Sequence, residues 1–126
     1  MPSRDPRQRL QDILVNGAAT REFVADMDLS AFAADRKTLY AVVRALEIIS
    51  EASRRLPEEM RKRHQEVDWQ AVAAAGNIYR HEYDVGHAAI VWQTVFVELP
   101  ALESAVRTEL DQLGNGPNRG RSEGDA

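Results

Sequence analysis

Between Asp35 and Pro57, apolar side chains recur with the spacing of one helical face. Positions three and four apart are apolar for about five turns, which at ~3.6 residues per turn places them on one side of a helix. Asp35 is a typical N-cap residue, and Pro57 ends the pattern because proline cannot continue a helix. Such a helix needs other helices to cover its apolar face. The apolar positions are Leu39, Val42, Val43, Leu46, Ile49 and Leu56.

Helical patterns also occupy most of the remaining chain, and glycine and proline interrupt them rarely before Leu113. A first helix is expected from Asp5 and Pro6 to Asp28, and a short polar helix after Pro57. Another pattern begins at Asp68, runs through Ile78 and ends near Asp84 to Gly86, and the last runs from about His87 to Leu113 with a kink at Pro100. Because the connections are short, we predict an all-α, antiparallel up-and-down bundle of four to six helices.

Composition sets limits on the class of protein. The 126 residues carry 20 acidic and 16 basic side chains, a formal charge of -4, and no cysteine. This excludes disulfides and thiolate zinc sites and disfavours a dedicated duplex-DNA binder. No apolar run reaches the ~18 residues of a membrane span, and no signal peptide is evident, so a cytoplasmic protein without a membrane partner is expected. We predict one domain over residues 1–113 and a flexible polar tail over 114–126.

Residues 73–83 concentrate the side chains that could perform chemistry. Asn77 and His81 are four residues apart and would share one face of a helix, while Arg80 lies beside His81. A histidine in the last turn of a helix is favoured in its protonated form and can donate a proton to a leaving oxygen. The alternative is structural: His81 caps carbonyl groups and Tyr83 packs at a corner.

A polar strip follows the predicted central helix beside its apolar face. Arg44, Glu47 and Glu51 are spaced three and four residues apart and could orient a catalytic histidine from a facing helix. The same strip could equally be a solvated surface with weak ion pairs. The basic stretch from Arg54 to His64 leaves a similar choice between a phosphate contact and a solubilising surface. No His-Glu-x-x-His pair or phosphate-binding glycine loop is present, so we predict neither a metal nor a cofactor.

An ordered set of segments over roughly residues 10–110 resembles the HepT-like family. The segments are Phe32-Ala-Ala-Asp35, Ala41 to Ala52, Leu56-Pro57, Val67-Asp-Trp69, Asn77 to Tyr83, Val91-Trp92 and Leu99-Pro100-Ala-Leu102. The resemblance implies a helical bundle that forms a homodimer. It also implies the toxin half of a bacterial toxin–antitoxin module, whose other half is a minimal nucleotidyltransferase of the MNT type.

The toxin motif of that family is an arginine, four residues, and then His-x-Tyr, with asparagine after the arginine. Asn77, His81 and Tyr83 fall in register, but Gly76 occupies the arginine position. The resemblance implies a metal-independent endoribonuclease in which His81 from two subunits supplies acid and base, with Arg80 as the nearest substitute cation. It further implies that the partner transfers AMP from ATP to Tyr83 and so blocks RNA binding.

Two other functions remain open at this point. Because Gly76 lacks a guanidinium group, the chain could be a degenerate, non-catalytic HepT-like binding protein. It could also be a substrate-binding helper of a nucleotidyltransferase, since related bundles accompany such enzymes.

Overall fold

The computed structural model describes residues 5–77 and 85–114, with the side chain of Val85 left out. Within these residues every regular element is helical, which confirms the all-α prediction. The elements are α1 (Arg7–Phe23), α2 (Leu29–Ala34), α3 (Arg36–Arg54), α4 (Glu58–Lys62), α5 (Trp69–Ala75), α6 (Val85–Gln93), a π-helical turn (Thr94–Glu98) and α7 (Leu99–Gly114). The helix α1 packs against α3 and α7, and α3 packs against α5.

Aspartate N-caps fix where three of these helices begin. The carboxylate of Asp28 accepts a hydrogen bond from the Ala31 backbone N–H at 2.8 Å and so starts α2. Asp35 caps α3 in the same way, as predicted, and Asp68 caps α5. The prediction that the first helix continues to Asp28 is wrong. The helix α1 ends at Phe23, and the chain then turns through residues 24–26, where the backbone N–H groups of Ala25 and Met27 donate to the carbonyl oxygens three residues earlier, before Asp28 caps α2.

The two helices on either side of the predicted functional segment also differ from expectation. The helix α5 ends at Ala75, and Gly76 and Asn77 form a turn. The prediction that this helix continues past Ala75 is therefore wrong at Gly76 and Asn77. Residues 78–84 lie outside the described residues, as does the predicted tail apart from Gly114. The last helix is interrupted as expected, but by the π-helical turn before Pro100. Proline lacks the N–H that would bond to the carbonyl four residues earlier, and a wider turn accommodates that loss.

The core lies where α1, α3 and α7 meet, and α2, α5 and α6 close it. The following side chains are almost completely buried: Leu10, Ile13, Phe32, Leu39, Val42, Leu46, Ile49, Val72, Val91, Leu99, Leu102 and Val106. By length and composition alone, the continuous helix from Gly86 to Gly114 could cross a membrane. Its buried side chains belong to the core of the bundle, as is usual for the central helix of a globular domain.

Two carboxylates of α7 are buried against the bundle and paired with arginine. Glu103 accepts hydrogen bonds from Arg21 at 2.5 and 2.6 Å, and Gly17 of α1 leaves the space that this carboxylate fills. Glu109 accepts hydrogen bonds from Arg63 and from the His64 ring. Two residues of the basic stretch, Arg63 and His64, therefore pair with a buried carboxylate of α7, a structural role that neither of the two interpretations from sequence foresaw.

Candidate functional site

The carboxyl end of α5 is tied to α3, directly before the residues of the predicted motif. The carbonyl oxygen of Ala73 accepts a hydrogen bond from Ser50 Oγ at 2.6 Å and another from Arg54 Nη1 at 2.9 Å. Arg54 Nη1 also donates to Ser50 Oγ at 3.1 Å. The last carbonyl groups of a helix lack intrahelical partners, and a guanidinium group there also complements the helix dipole. These contacts fix the position from which the chain leaves α5.

Gly76 lies so close to α3 that a larger residue does not fit without a shift. A Cβ atom built at Gly76 would lie 2.9 Å from both Cβ and Oγ of Ser50, and 3.6 Å from the Cα of Glu47. Nonbonded carbon atoms reach optimal contact only at about 3.5–4.0 Å. The glycine at the motif's arginine position is therefore explained by packing: an arginine there would push α5 away from α3.

The structure places only part of the predicted catalytic set. Asn77 is exposed and its backbone N–H donates to the carbonyl of Ala74 at 2.9 Å. Asn77 lies in a turn after the end of α5, and its predicted helical spacing from His81 stays a prediction. The other three predicted residues, Arg80, His81 and Tyr83, lie outside the described residues.

The three supporting residues predicted on the central helix come together in one groove. Arg44, Glu47 and Glu51 line a cavity of about 300 Å³ between α1 and α3. Further charged side chains of this α1–α3 groove are Arg9, Asp12 and Arg55. Arg44 Nη1 donates to Glu47 at 3.0 Å, and Arg55 Nε donates to Glu51 at 2.6 Å. The groove therefore holds three guanidinium groups and three carboxyl groups.

Two arginines share the carboxylate of Glu51. Arg55 and Arg54 bind its two oxygens, at 2.6 and 3.1 Å, and their hydrogen bonds hold the pKa of the Glu51 carboxyl below its usual range. Glu51 thus stays ionised and orients both guanidinium groups. Since Arg54 also binds Ala73, Glu51 connects the groove to the end of α5. Glu47 makes a second connection, because its backbone lies against Gly76.

Sequence reasoning missed Arg9, Asp12 and Arg55 as members of this groove. Arg9 and Asp12 are on α1 and are far in sequence from α3, so no local spacing relates them to Glu47. Sequence offered a hint for Arg55 alone, because it lies four residues after Glu51, which is the spacing of a helical ion pair. Only the packing of α1 on α3 shows that these side chains meet.

Metal-binding side chains are not clustered in the described part of the chain. Over residues 5–77 and 85–114, no group of three or more histidine, aspartate or glutamate side chains is arranged to hold a metal ion. The chemistry available around the groove is therefore that of guanidinium and carboxylate groups.

Comparison with known proteins gives a consistent family. The family described as "Ribonuclease HepT-like" matches residues 13–109. A probable ribonuclease HepT of Thermococcus cleftensis is 33% identical over 100 residues, covering 79% of this chain and 91% of the relative. A provisionally named RNase of Caldanaerobacter subterraneus subsp. tengcongensis is 35% identical over 109 residues, covering 86% of this chain and 97% of the relative. A provisionally named RNase of Methanocaldococcus jannaschii is 36% identical over 100 residues, covering 79% of this chain and 83% of the relative.

Solved structures gave no match to the chain. The family match spans most of the sequence, including all of α3 and the greater part of α1 and of α7. The chain belongs to the HepT-like ribonuclease family.

Proposed function

We propose that this chain is an endoribonuclease that cleaves RNA by metal-independent transesterification. In this reaction the 2'-hydroxyl attacks the adjacent phosphorus, the bond to the 5'-oxygen breaks, and a 2',3'-cyclic phosphate and a 5'-hydroxyl result. His81 takes the proton of the 2'-hydroxyl, and His81 of a second subunit protonates the departing oxygen. Arg80 stabilises the charge on the phosphate, and Asn77 orients the group beside it.

One observation of this structure carries the proposal beyond the family match. The end of α5 is fixed to α3 by Ser50 and Arg54 at the carbonyl of Ala73. The motif residues follow within ten positions of that contact, so their backbone starts from a defined point beside the α1–α3 groove. Defined placement is what proton transfer requires, because donor and acceptor must come within about 2.6–3.2 Å.

The biological role that fits this activity is that of a toxin in a cytoplasmic toxin–antitoxin module. The proposed partner is an MNT-type nucleotidyltransferase, which transfers AMP from ATP to Tyr83. The added phosphate and nucleotide would repel the RNA backbone and fill the space beside His81. This part of the proposal is supported by the intact His81-Glu82-Tyr83 sequence.

A homodimer is part of the same proposal, because one subunit supplies only one copy of His81. The surface of α6 and the π-helical turn exposes large apolar side chains: Ile90 is 54% exposed, Phe96 48% and Val97 58%. Phe96 packs against Trp92 in a tilted arrangement, with ring centroids 4.6 Å apart. Exposed aromatic and aliphatic side chains on one element are typical of a protein interface. We assign this surface to the second copy of the chain.

The second candidate function is a non-catalytic HepT-like binding protein, and the packing of Gly76 favours it. Since Gly76 packs against Ser50 and carries no side chain, the chain lacks one transition-state cation at that place. Loss of one such donor typically reduces the rate by ~10²–10³. If Arg80 does not substitute for it, the bundle would retain only its binding surfaces.

Cleavage of a labelled RNA by the purified chain tests the proposal directly. We expect cleavage that persists in EDTA, yields 2',3'-cyclic phosphate ends by mass spectrometry, and disappears in His81→Ala. The control is Arg107→Gln, an exposed substitution on α7 that should cleave like the wild type. Cleavage unchanged in His81→Ala would refute the assignment of His81, and absence of cleavage by the wild type would favour the binding protein.

The AMP transfer has its own test. After coexpression with an MNT-type nucleotidyltransferase, intact-mass analysis should show AMP adducts that are lost in Tyr83→Phe. The matched control is Tyr40→Phe, since Tyr40 is a half-exposed tyrosine of α3. Adducts that persist in Tyr83→Phe would show that another residue is modified.

A further inference from the structure

The α1–α3 groove combines several guanidinium groups that have unused hydrogen-bond donors. Arg9 forms no ion pair or hydrogen bond with any other described residue. Arg55 uses only Nε to bind Glu51, and Arg44 uses only Nη1 to bind Glu47, so the remaining nitrogens of both are available. An arginine carries five N–H donors in a planar fork that matches the oxygens of a phosphate. The groove therefore has more unused N–H donors than its carboxylates can accept from, although its three positive and three negative charges balance.

The carboxylates of the groove are already engaged, so they orient the arginines more than they compete for a ligand. Glu51 binds two arginines and Glu47 binds one. Asp12 accepts a hydrogen bond from Gln8. The ion pairs are solvent-exposed, with 71% of the Arg44 side chain and 54% of the Arg55 side chain accessible. Exposed pairs of this kind exchange partners easily, whereas an anion that binds two arginines at once gains bidentate contacts.

Size and position narrow the choice of anion. A volume of about 300 Å³ is at the lower end of ligand pockets and suits one nucleotide of a single strand. The groove also adjoins the proposed reaction site, because Glu47 both lines it and packs against Gly76, one residue before Asn77. A strand lying in this groove would enter or leave the site at Asn77.

We propose that the α1–α3 groove is a subsite for the backbone of single-stranded RNA, in which Arg9, Arg44 and Arg55 bind a phosphate adjoining the cleaved one. This inference rests on the proposed ribonuclease function and assigns part of its substrate binding. Arg9 binds the phosphate first, because its guanidinium group breaks no existing ion pair within the described residues to do so. Arg55 and Arg44 follow as they turn from Glu51 and Glu47 to the phosphate.

The salt dependence of RNA binding tests the subsite. The probe is a fluorescein-labelled, ten-nucleotide unstructured RNA, and the parent protein is the full chain with His81→Ala, which leaves the RNA intact. Each phosphate contact to a single strand contributes about 0.7 to the slope of log affinity against log salt. Removing this phosphate contact with the Arg9→Gln/Arg55→Gln double variant should therefore make the slope shallower by about 0.7 and weaken binding about fivefold at ~0.1 M salt. Arg9→Gln alone should give a smaller change of the same sign, because Arg44 and Arg55 still hold the phosphate.

The matched control is Arg107→Gln, which removes the same charge from an exposed position on α7 outside the groove. Its slope should equal that of the parent. If the parent binds RNA and the slope is the same in Arg9→Gln and the double variant, the groove is not the subsite, although the ribonuclease proposal stands. If the same variants weaken binding of poly-glutamate and leave RNA binding unchanged, the groove serves an acidic protein and the inference is overturned. If the parent binds no RNA and the wild type cleaves none, both proposals fail.

Discussion

Replacing Glu109 by glutamine removes the buried charge that joins α7 to the segment between α4 and α5. The Glu109 carboxylate accepts hydrogen bonds from Arg63 Nη2 at 2.8 Å, from Arg63 Nε at 3.2 Å and from His64 Nε2 at 2.5 Å. The same segment is tied by Trp69, whose Nε1 donates to the carbonyl of His64 at 3.0 Å. Glutamine keeps the shape of the side chain but cannot accept from three donors with the strength of a carboxylate.

The expected loss of stability follows from these contacts. Hydrogen bonds to charged groups contribute about 1.5–3 kcal/mol. Because 55% of the Arg63 side chain is exposed, water can replace part of its contribution, and we expect the lower half of that range, about 2 kcal/mol. For a domain of this size, that corresponds to a decrease in Tm of roughly 8 °C.

The effect should also depend on pH with a defined sign. The hydrogen bond from Arg63 is the largest cause that holds the pKa of the Glu109 carboxyl below its ordinary value of 4.5, while burial opposes it. Since the pKa is lower in the folded protein than in the unfolded chain, the ionised group stabilises the fold above the unfolded pKa. That stabilisation is lost as the pH falls through the folded pKa. The difference in Tm between wild type and variant should therefore narrow below about pH 4.5.

Thermal unfolding followed by circular dichroism at a series of pH values measures both effects. The control is Glu58→Gln, which removes an exposed carboxylate paired with Lys62 at 3.6 Å and should change Tm little. A Glu109→Gln variant that melts with the wild type at pH 7, or a difference that is constant down to pH 3, would refute the assignment of a stabilising buried charge.

Three further predictions concern packing and assembly. Gly17→Ala should destabilise the protein by about 1–3 kcal/mol in urea unfolding, because the new methyl group would overlap the Glu103 carboxylate. If the variant is instead stabilised, as alanine usually stabilises a helix relative to glycine, the close packing of Gly17 on Glu103 is refuted. Gly76→Ala should also lower the free energy of unfolding, since its Cβ would lie 2.9 Å from Ser50, and the loss should be smaller when Gly76→Ala is made in a Ser50→Gly background, which removes the contact; no loss in Gly76→Ala would contradict the packing argument. Val97→Glu should shift sedimentation of the proposed dimer toward the 14.1 kDa monomer without lowering Tm, and a wild type that already sediments as a monomer would exclude the dimer.

Much of the fold could be predicted from local patterns. Asp35 and Pro57 define α3 almost to the residue because capping and helix termination depend on neighbours in sequence. The same reasoning failed at Phe23 and Ala75, where α1 and α5 end early. In both places the helical pattern of apolar residues continues beyond the end of the helix. Asp28 caps α2 through a residue three positions later, so that boundary was within reach of local reasoning, whereas the contact of Ala73 with α3 joins residues far apart in the chain.

In the candidate site, too, some residues could be predicted from local spacing and others could not. Arg44, Glu47 and Glu51 could be selected from their spacing on one helix, and the HepT-like resemblance marked Gly76 as a departure from the family motif. The reason for Gly76 could not be predicted, since it lies in a contact with Ser50 that is 26 positions earlier in the chain. Arg9 gave no signal at all, because its relation to Glu51 exists only after α1 has packed on α3.

The sequence by itself determined that this chain forms a helical bundle and belongs among proteins with the Asn77, His81 and Tyr83 pattern, because helical period, capping and motif spacing are properties of neighbouring residues. Only the tertiary structure decided which charges meet. It brought Arg63 and His64 into contact with a buried glutamate and left Arg9 without a partner in the described part of the chain. It also placed Gly76 so close to Ser50 that a side chain there requires a shift. Those outcomes depend on distances between helices, which no local pattern encodes.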